Sequence, residues 1–294
     1  MAKKDRIERK ATLAPCRVLR IYGMRRSGNH AIINWLQRNA PGGNSIFLNN
    51  CRAGRDPIKS HRSLEVFRAG SRSQLTDDSS LQDRFNLAGQ APLAMVSYED
   101  AMPSNSDTPI TPLFPNAPAG ETIVIIYRSF LNWSASLLQK VMGNSGFGSL
   151  ARARIVTVAC TGYATALERV SECRDRGFVA ICYDKWHSST KYREGILTAL
   201  GFEARDNSRG AVQRYGGGSS FQGKAAKVDD LETHRRSEQM AENPEYQTLL
   251  WTVSHDLDFM QRLSAHFPDD ARRLLALAET AQLWVTLPKS VPTT

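Results

Sequence analysis

The residues with the clearest chemistry are Gly23-Met24-Arg25-Arg26-Ser27-Gly28, followed at once by Asn29 and His30. Two glycines bound a loop that carries two arginines. Loop amides and the first N–H groups of a following helix point at an anion, and the helix dipole favours negative charge there. Arginine adds fixed charge with planar, bidentate donors. A phosphate or sulfate ester is the ligand such a loop suits. Gly23 and Gly28 have the spacing of the nucleotide-binding loop G-x-x-x-x-G-K-[ST], in which Lys reaches the terminal phosphates and Ser/Thr holds magnesium. Here Asn29 and His30 stand in those two places. The anion cradle is kept, and the lysine and the metal ligand are not.

A second set lies further on. Arg128 ends the apolar run Thr122 to Tyr127, and Ser136 follows eight residues later. Ligands of open α/β sheets meet the carboxyl ends of strands, where Arg128 is expected. Alone, it also reads as a surface ion pair. Three residues qualify by type as a general base: Glu99, His61 and His30. Arg214-Tyr215-Gly216-Gly217-Gly218-Ser219-Ser220 forms a third anion-friendly stretch, since glycines allow close backbone approach and hydroxyls donate. It reads equally as a linker.

The elements that must hold these residues follow from the apolar pattern. Val18 to Tyr22 reads as a strand leading into the loop. Ala31, Ile32, Trp35 and Leu36 mark one face of the helix after it. Leu93 to Tyr98 reads as a strand ending in Glu99-Asp100. Thr122 to Tyr127 is a buried strand, with a helix starting near Asn132 and Trp133. Phe178 to Tyr183 reads as a strand, and Tyr192 to Leu200 as a helix stopped by Gly201. Segments 52–63 and 101–121 are rich in Arg, Ser, Pro, Asp and Asn and read as loops; long loops at strand ends usually carry substrate sites. Three helices are expected in the tail: Asp229 to Glu242, Tyr246 to Phe267 and Asp270 to Leu283, separated by Pro244 and Pro268. His234, Arg235 and Arg236 either lean over the bound ligand or form a solvated helix face, and the second is preferred.

Together, the 23–30 loop and the 122–136 stretch resemble the two signatures of the PAPS-dependent sulfotransferases (PAPS, 3′-phosphoadenosine 5′-phosphosulfate). In that family a Y-P-K-S-G-[TN] loop grips the 5′-phosphosulfate. A strand-end Arg, with a Ser eight residues beyond, grips the 3′-phosphate. Arg26-Ser27-Gly28-Asn29 is similar to the first, with Arg26 at the usual Lys position. Arg128 and Ser136 are similar to the second. The resemblance covers about residues 16–223. It implies an α/β fold with a mainly parallel sheet flanked by helices, of P-loop-like sulfotransferase architecture, with a helical C-terminal extension. It implies PAPS as donor, PAP as product and no metal. By the same resemblance Arg25, Arg26, Ser27, Gly28, Asn29 and His30 hold the 5′ end, and Arg128 and Ser136 the 3′-phosphate. Tyr183 lies beside the adenine or is a core tyrosine. Arg214, Gly216, Gly217, Gly218, Ser219 and Ser220 fold over the 3′-phosphate. Arg26 stabilises the transferring group, His30 touches it or caps the loop, and Glu99 is preferred to His61 as base because it follows a strand. The acceptor is expected to be a hydroxyl of a carbohydrate, glycolipid or small alcohol. A kinase-like phosphotransferase and a basic nucleic-acid-binding module are the alternatives.

Composition bounds these readings. The chain has 294 residues, a formal net charge of +9 and 41% hydrophobic residues. That length suits one large α/β domain with an appendage: a basic tail at 1–15, the α/β domain at 16–223, and helices at 224–294 packed on the same domain. The positive charge calls for an anionic partner. PAPS meets that need in part, and a membrane surface or anionic glycolipid is a further candidate. The basic residues are scattered without a nucleic-acid motif, so nucleic acid is not expected. No apolar run is long enough to span a bilayer, and the charged N-terminus lacks a signal-peptide core. Cys16, Cys51, Cys160, Cys173 and Cys182 are odd in number and without C-x-x-C spacing. Free thiols, a cytoplasmic location and no metal site are the expectation.

Overall fold

A computed structural model describes residues 13–74, 81–104, 107, 109, 110, 114, 120–210 and 234–281. It divides into two compact units: Met1–Tyr127 with Arg169–Gly210, and Arg128–Glu168 with Ala211–Thr294.

The first unit is built on a seven-stranded sheet. Its strands are β1 (Arg17–Gly23), β2 (Asn44–Asn49), β3 (Ser63–Arg68), β4 (Ser71–Gln74), β5 (Leu93–Glu99), β6 (Glu121–Tyr127) and β7 (Val179–Cys182), in the order β4-β3-β2-β5-β1-β6-β7. The pairs β2–β5, β5–β1, β1–β6 and β6–β7 are parallel. The pairs β2–β3 and β3–β4 are antiparallel and form one edge. The class is therefore α/β with a mainly parallel sheet. After β1 the chain crosses to β2, beyond β5; after β5 it crosses to β6, on the other side of β1. The direction of winding thus reverses beside β1, which is where ligands of such sheets bind.

Alternation along the strands makes two cores. Leu19 and Ile21 of β1, Met95 of β5, and Val124 and Ile126 of β6 face one way. They meet Ile32, Trp35 and Leu36 of α1 (Asn29–Arg38), Trp186 of α6 (Tyr183–Ser188), and Leu197 and Leu200 at the end of α7 (Thr190–Ala199). Val18, Tyr22, Ala94, Val96 and Tyr98 face the other way, with Phe85 of α3 (Leu81–Leu87) and Phe114. Successive side chains of a strand point to opposite faces, so continuous apolar runs serve both layers. On the second face Arg20 lies 5.7 Å from the Tyr22 ring centroid and pairs with Glu121 at 2.8 Å and Asp107 at 3.5 Å. Burial is tolerable for this guanidinium because it is paired.

The second unit is helical: α4 (Phe130–Met142), α5 (Ser149–Glu172), α8 (Arg236–Gln239), α9 (Pro244–Ser254), α10 (Leu257–His266) and α11 (Pro268–Glu279). Phe130 and Trp133 of α4, Tyr163 of α5 and Phe259 of α10 form an aromatic cluster with edge and stacked contacts of 4.6–6.2 Å. Asp270 of α11 accepts from Ser129 Oγ at 2.7 Å and the Leu131 N–H at 3.2 Å, which places a carboxylate at the N-terminus of α4.

Four sequence expectations need correcting. Segment 52–63 is not all loop: α2 (Pro57–Ser60) forms where Asp56 caps Ile58 N–H at 2.9 Å and Pro57 fills the first helical position. Tyr246 to Phe267 is not one helix, because α9 stops at Ser254 and Asp256 caps α10 by accepting from Phe259 N–H. Pro244 and Pro268 open helices α9 and α11 rather than merely separating them. Strand β7 ends at Cys182, and Tyr183 already begins α6. In the basic run at 234–236, His234 and Arg235 are exposed as read, and Arg236 departs from its reading, as described below. All five cysteines are free thiols, four of them buried.

Candidate functional site

The loop between β1 and α1 turns through two left-handed residues, Arg26 at φ 70° and Gly28 at φ 88°. For arginine this conformation is unfavourable by about 1–2 kcal/mol, so the surroundings must hold it. Asp100 does much of that holding. It follows β5, its own N–H donates to Gly23 O at 3.1 Å, and its carboxylate accepts from the Arg25 N–H at 2.8 Å and pairs with the Arg25 guanidinium. Asn29 braces the loop from inside, donating to Met24 O at 3.2 Å. Ser27 N–H closes a turn onto Met24 O, and Ser27 itself is buried.

Three of the six sequence-predicted loop residues thus have structural duties. Arg25 is engaged by Asp100, Asn29 by the loop carbonyls, and Ser27 by the turn. Arg26 and His30 are half-buried. Among the described residues no side chain caps α1 at Gly28, and its first turn has no acidic residue. A helix start of this kind presents unbonded N–H groups and the positive end of its dipole.

Gly28 lies against Tyr183. A Cβ at Gly28 would overlap the Tyr183 ring at Cδ2. Tyr183 is buried in the first core, its ring centroid 5.7 Å from Trp186 and 5.9 Å from His187. Only glycine fits this position, for its φ and for the contact. Gly28→Ala is expected to destabilise the fold by about 2 kcal/mol or more, from left-handed strain plus overpacking. A thermal melt that matches the parent would show that Tyr183 does not press on the loop.

Glu99 stands across the β1–β5 ladder from Gly23, at the carboxyl edge beside the loop. Asn50 donates to its Oε2 at 3.2 Å. Burial pushes its carboxyl above the ordinary glutamate range and neighbouring Asp100 adds to this, while Arg25, Arg62 and Arg26 pull it back. The acid that pairs with Arg25 is Asp100, not Glu99.

His30 is held below its ordinary range, first by burial; Glu65 raises it, while Arg72 and Arg26 lower it. Its ring meets Phe47 edge-on at 6.5 Å. Glu65, opposite Phe47 on β3, is almost fully buried and paired with Arg72. His61 ends α2 and is held by its own turn: Nδ1 donates to Pro57 O at 3.1 Å, leaving Nε2 as its other polar atom.

In the second unit Arg128 and Ser136 are both buried. The Arg128 carbonyl accepts from Tyr163 OH at 2.6 Å. Ser136 Oγ accepts from Arg236 Nη1 at 2.8 Å. Arg236 is therefore not on a solvated face, as its sequence suggests; it is 6% exposed and fixed onto α4. Ser237 N–H, which donates to Asn132 Oδ1 at 3.3 Å, locks the same turn to α4. Nothing in the run His234-Arg235-Arg236 distinguishes the last of its three basic residues from the other two, and the contact that selects Arg236 spans 100 positions. Arg214, Gly216, Gly217, Gly218, Ser219 and Ser220 lie outside the described residues.

No family model matches the chain, and no curated protein matches it. It is similar to a solved structure. That structure is the crystal structure of mouse sulfotransferase SULT7A1 complexed with PAP, with 12% identity, 92% of each chain covered and a TM-score of 0.45. Among the described residues no helix is long and apolar enough to cross a membrane, and no group of three or more His, Cys, Asp or Glu is placed to hold a metal ion.

Proposed function

We propose that the chain is a sulfotransferase that moves a sulfuryl group from PAPS to an acceptor hydroxyl. The observation that carries the reading is Arg236 donating to Ser136 at 2.8 Å. Ser136 is the residue the family resemblance assigns to the 3′-phosphate, and a buried arginine on it suits a dianion. An ordinary nucleoside triphosphate has no 3′-phosphate to use such a pair. In this reading the β1–α1 loop, with Arg26 and the open N–H groups of α1, receives the 5′-phosphosulfate. Arg128, Ser136 and Arg236 receive the 3′-phosphate. Tyr183, pressed on Gly28 and within the core, serves the loop more than the adenine.

The acceptor oxygen attacks sulfur, the bond from sulfur to the bridging phosphate oxygen breaks, and PAP leaves. Arg26 faces the charge that grows on the sulfuryl and bridging oxygens. Glu99 takes the acceptor proton, its raised pKa making it a better base than an exposed glutamate. Arginine supplies the charge that magnesium would supply in a kinase, so no metal is needed for this step. A carbohydrate, glycolipid or small alcohol is the acceptor class. Five free thiols suit a reducing compartment.

Calorimetry with PAP and AMP in the absence of magnesium tests this assignment. PAP is expected to bind, and Arg128→Ala, Ser136→Ala and Arg236→Ala to weaken PAP far more than AMP. A charge-assisted contact to phosphate contributes about 1.5–3 kcal/mol, so each arginine should cost roughly tenfold or more in PAP affinity. Equal losses for the two nucleotides would remove these residues from the 3′-phosphate. Binding of Mg-ATP in place of PAP would favour a phosphotransferase.

A further inference from the structure

Between β2 and β3 the chain makes a short basic excursion over residues 50–62. It is stitched to the carboxyl end of β5: Asn50 N–H donates to Ser97 Oγ at 2.9 Å, Cys51 N–H to Ser97 O at 2.8 Å, and Asn50 Nδ2 to Glu99 at 3.2 Å. The segment therefore sits on the sheet edge that carries the loop glycine Gly23 and Glu99. Within it Arg52, Arg55, Asp56, Lys59, Ser60 and His61 line a concavity of about 540 Å3. That volume falls within the range of small-ligand sites, and the hollow is open to solvent.

The charges there are unbalanced. Three cations face one carboxylate, and Asp56 already caps α2. Ser60 Oγ accepts from the Arg52 N–H at 3.3 Å, which ties the two ends of the excursion together. Among the described residues no ion pair holds Arg52, Arg55 or Lys59. Arg62, next in the chain, is close enough to Glu99 to lower its pKa. Among the described residues no Phe, Tyr or Trp lines the hollow to stack a nucleobase.

We propose that this hollow is the acceptor subsite and that it selects an acidic acceptor: a hydroxyl compound of sugar type bearing a carboxylate, sulfate or phosphate. This rests on the sulfotransfer reading for the word acceptor, and on the hollow's own charge for the word acidic. The anionic group of the acceptor sits among Arg52, Arg55 and Lys59, and its hydroxyl extends toward Glu99. Contacts of this kind are solvated and screened, so the preference falls as salt is added.

Calorimetry on the full chain tests it, with tetragalacturonate, a sulfated disaccharide and glucose 6-phosphate compared with neutral maltotetraose and with an oligothymidylate. At least one of the three acidic sugars is expected to bind roughly tenfold or more tighter than maltotetraose, the sum of three modest exposed charge contacts. The variant R52A/R55A/K59A should lose that preference while its melting temperature and PAP affinity stay unchanged. The proposal is overturned if no acidic sugar outbinds maltotetraose, if the triple variant keeps the preference, or if oligothymidylate binds best through these residues. Failure of PAP to bind, with the acidic sugars still bound through the three cations, would leave an anion site and remove the sulfotransfer reading.

Discussion

Arg26→Ala is expected to lower the rate constant of sulfuryl transfer by ~100-fold or more at saturating PAPS, since a donor aimed at charge that grows in the transition state contributes about 3 kcal/mol. Arg26 is half-buried and held at φ 70° between residues with other duties. Its alanine variant has the same left-handed strain, so the backbone term cancels between parent and variant. A glycine variant would relieve that strain and confuse the comparison. PAP affinity should fall by less than the rate, because the proposed function also gives the 5′-phosphate to the N–H groups and dipole of α1. Arg26→Lys keeps the charge and loses the planar fork, and should recover part of the rate. Normal turnover by the alanine variant in a saturating PAPS assay would leave Arg26 a binding residue only.

How much of this site could be read in the chain depends on how far apart its partners lie. The strand, loop and helix of 17–38 are local: apolar alternation, two glycines and a 3.6-residue period sit within one short stretch, and the structure places them as expected. The parallel core strands β1, β5 and β6 were legible for the same reason. The antiparallel edge β3–β4 was not, because Arg68, Arg72 and the buried Glu65 interrupt its apolar pattern. The loop's anchor, Asp100, lies 75 positions from Arg25. Sequence offers two adjacent acids at 99 and 100, and only the turn after β5, with Asp100 at φ 55°, decides which one reaches the loop. Arg236 is the extreme case: it sits in a basic run that reads as solvent-facing, and packing on α4 turns it inward. Local pattern specifies elements, whereas the long-range pairings that tune a site's charge are set by topology.

At saturating acceptor, Glu99→Gln is expected to remove most turnover while leaving PAP affinity intact, and His61→Ala to keep both. Glu99 is fixed by β5, and its side chain is oriented by Asn50 at 3.2 Å. Glutamine keeps the size of that side chain and its acceptor oxygen toward Asn50, so the fold should survive the change. What is lost is the carboxylate that receives a proton. Burial, ahead of Asp100, raises the pKa of Glu99, and this outweighs Arg25, Arg62 and Arg26. The sign follows for activity: the base works when ionised, so turnover rises with pH through a limb above the ordinary glutamate range of about 4.3. Below that limb Glu99 is protonated and the reaction slows; above it the rate is flat until another group titrates. The glutamine variant should be slow at every pH and should lack the limb. His61 holds its Nδ1 proton against Pro57 O, leaving Nε2 as the atom that would act if the assignment were reversed. A parent profile with its limb near the histidine reference of ~6.5, lost in His61→Ala and kept in Glu99→Gln, would give the proton to His61 instead.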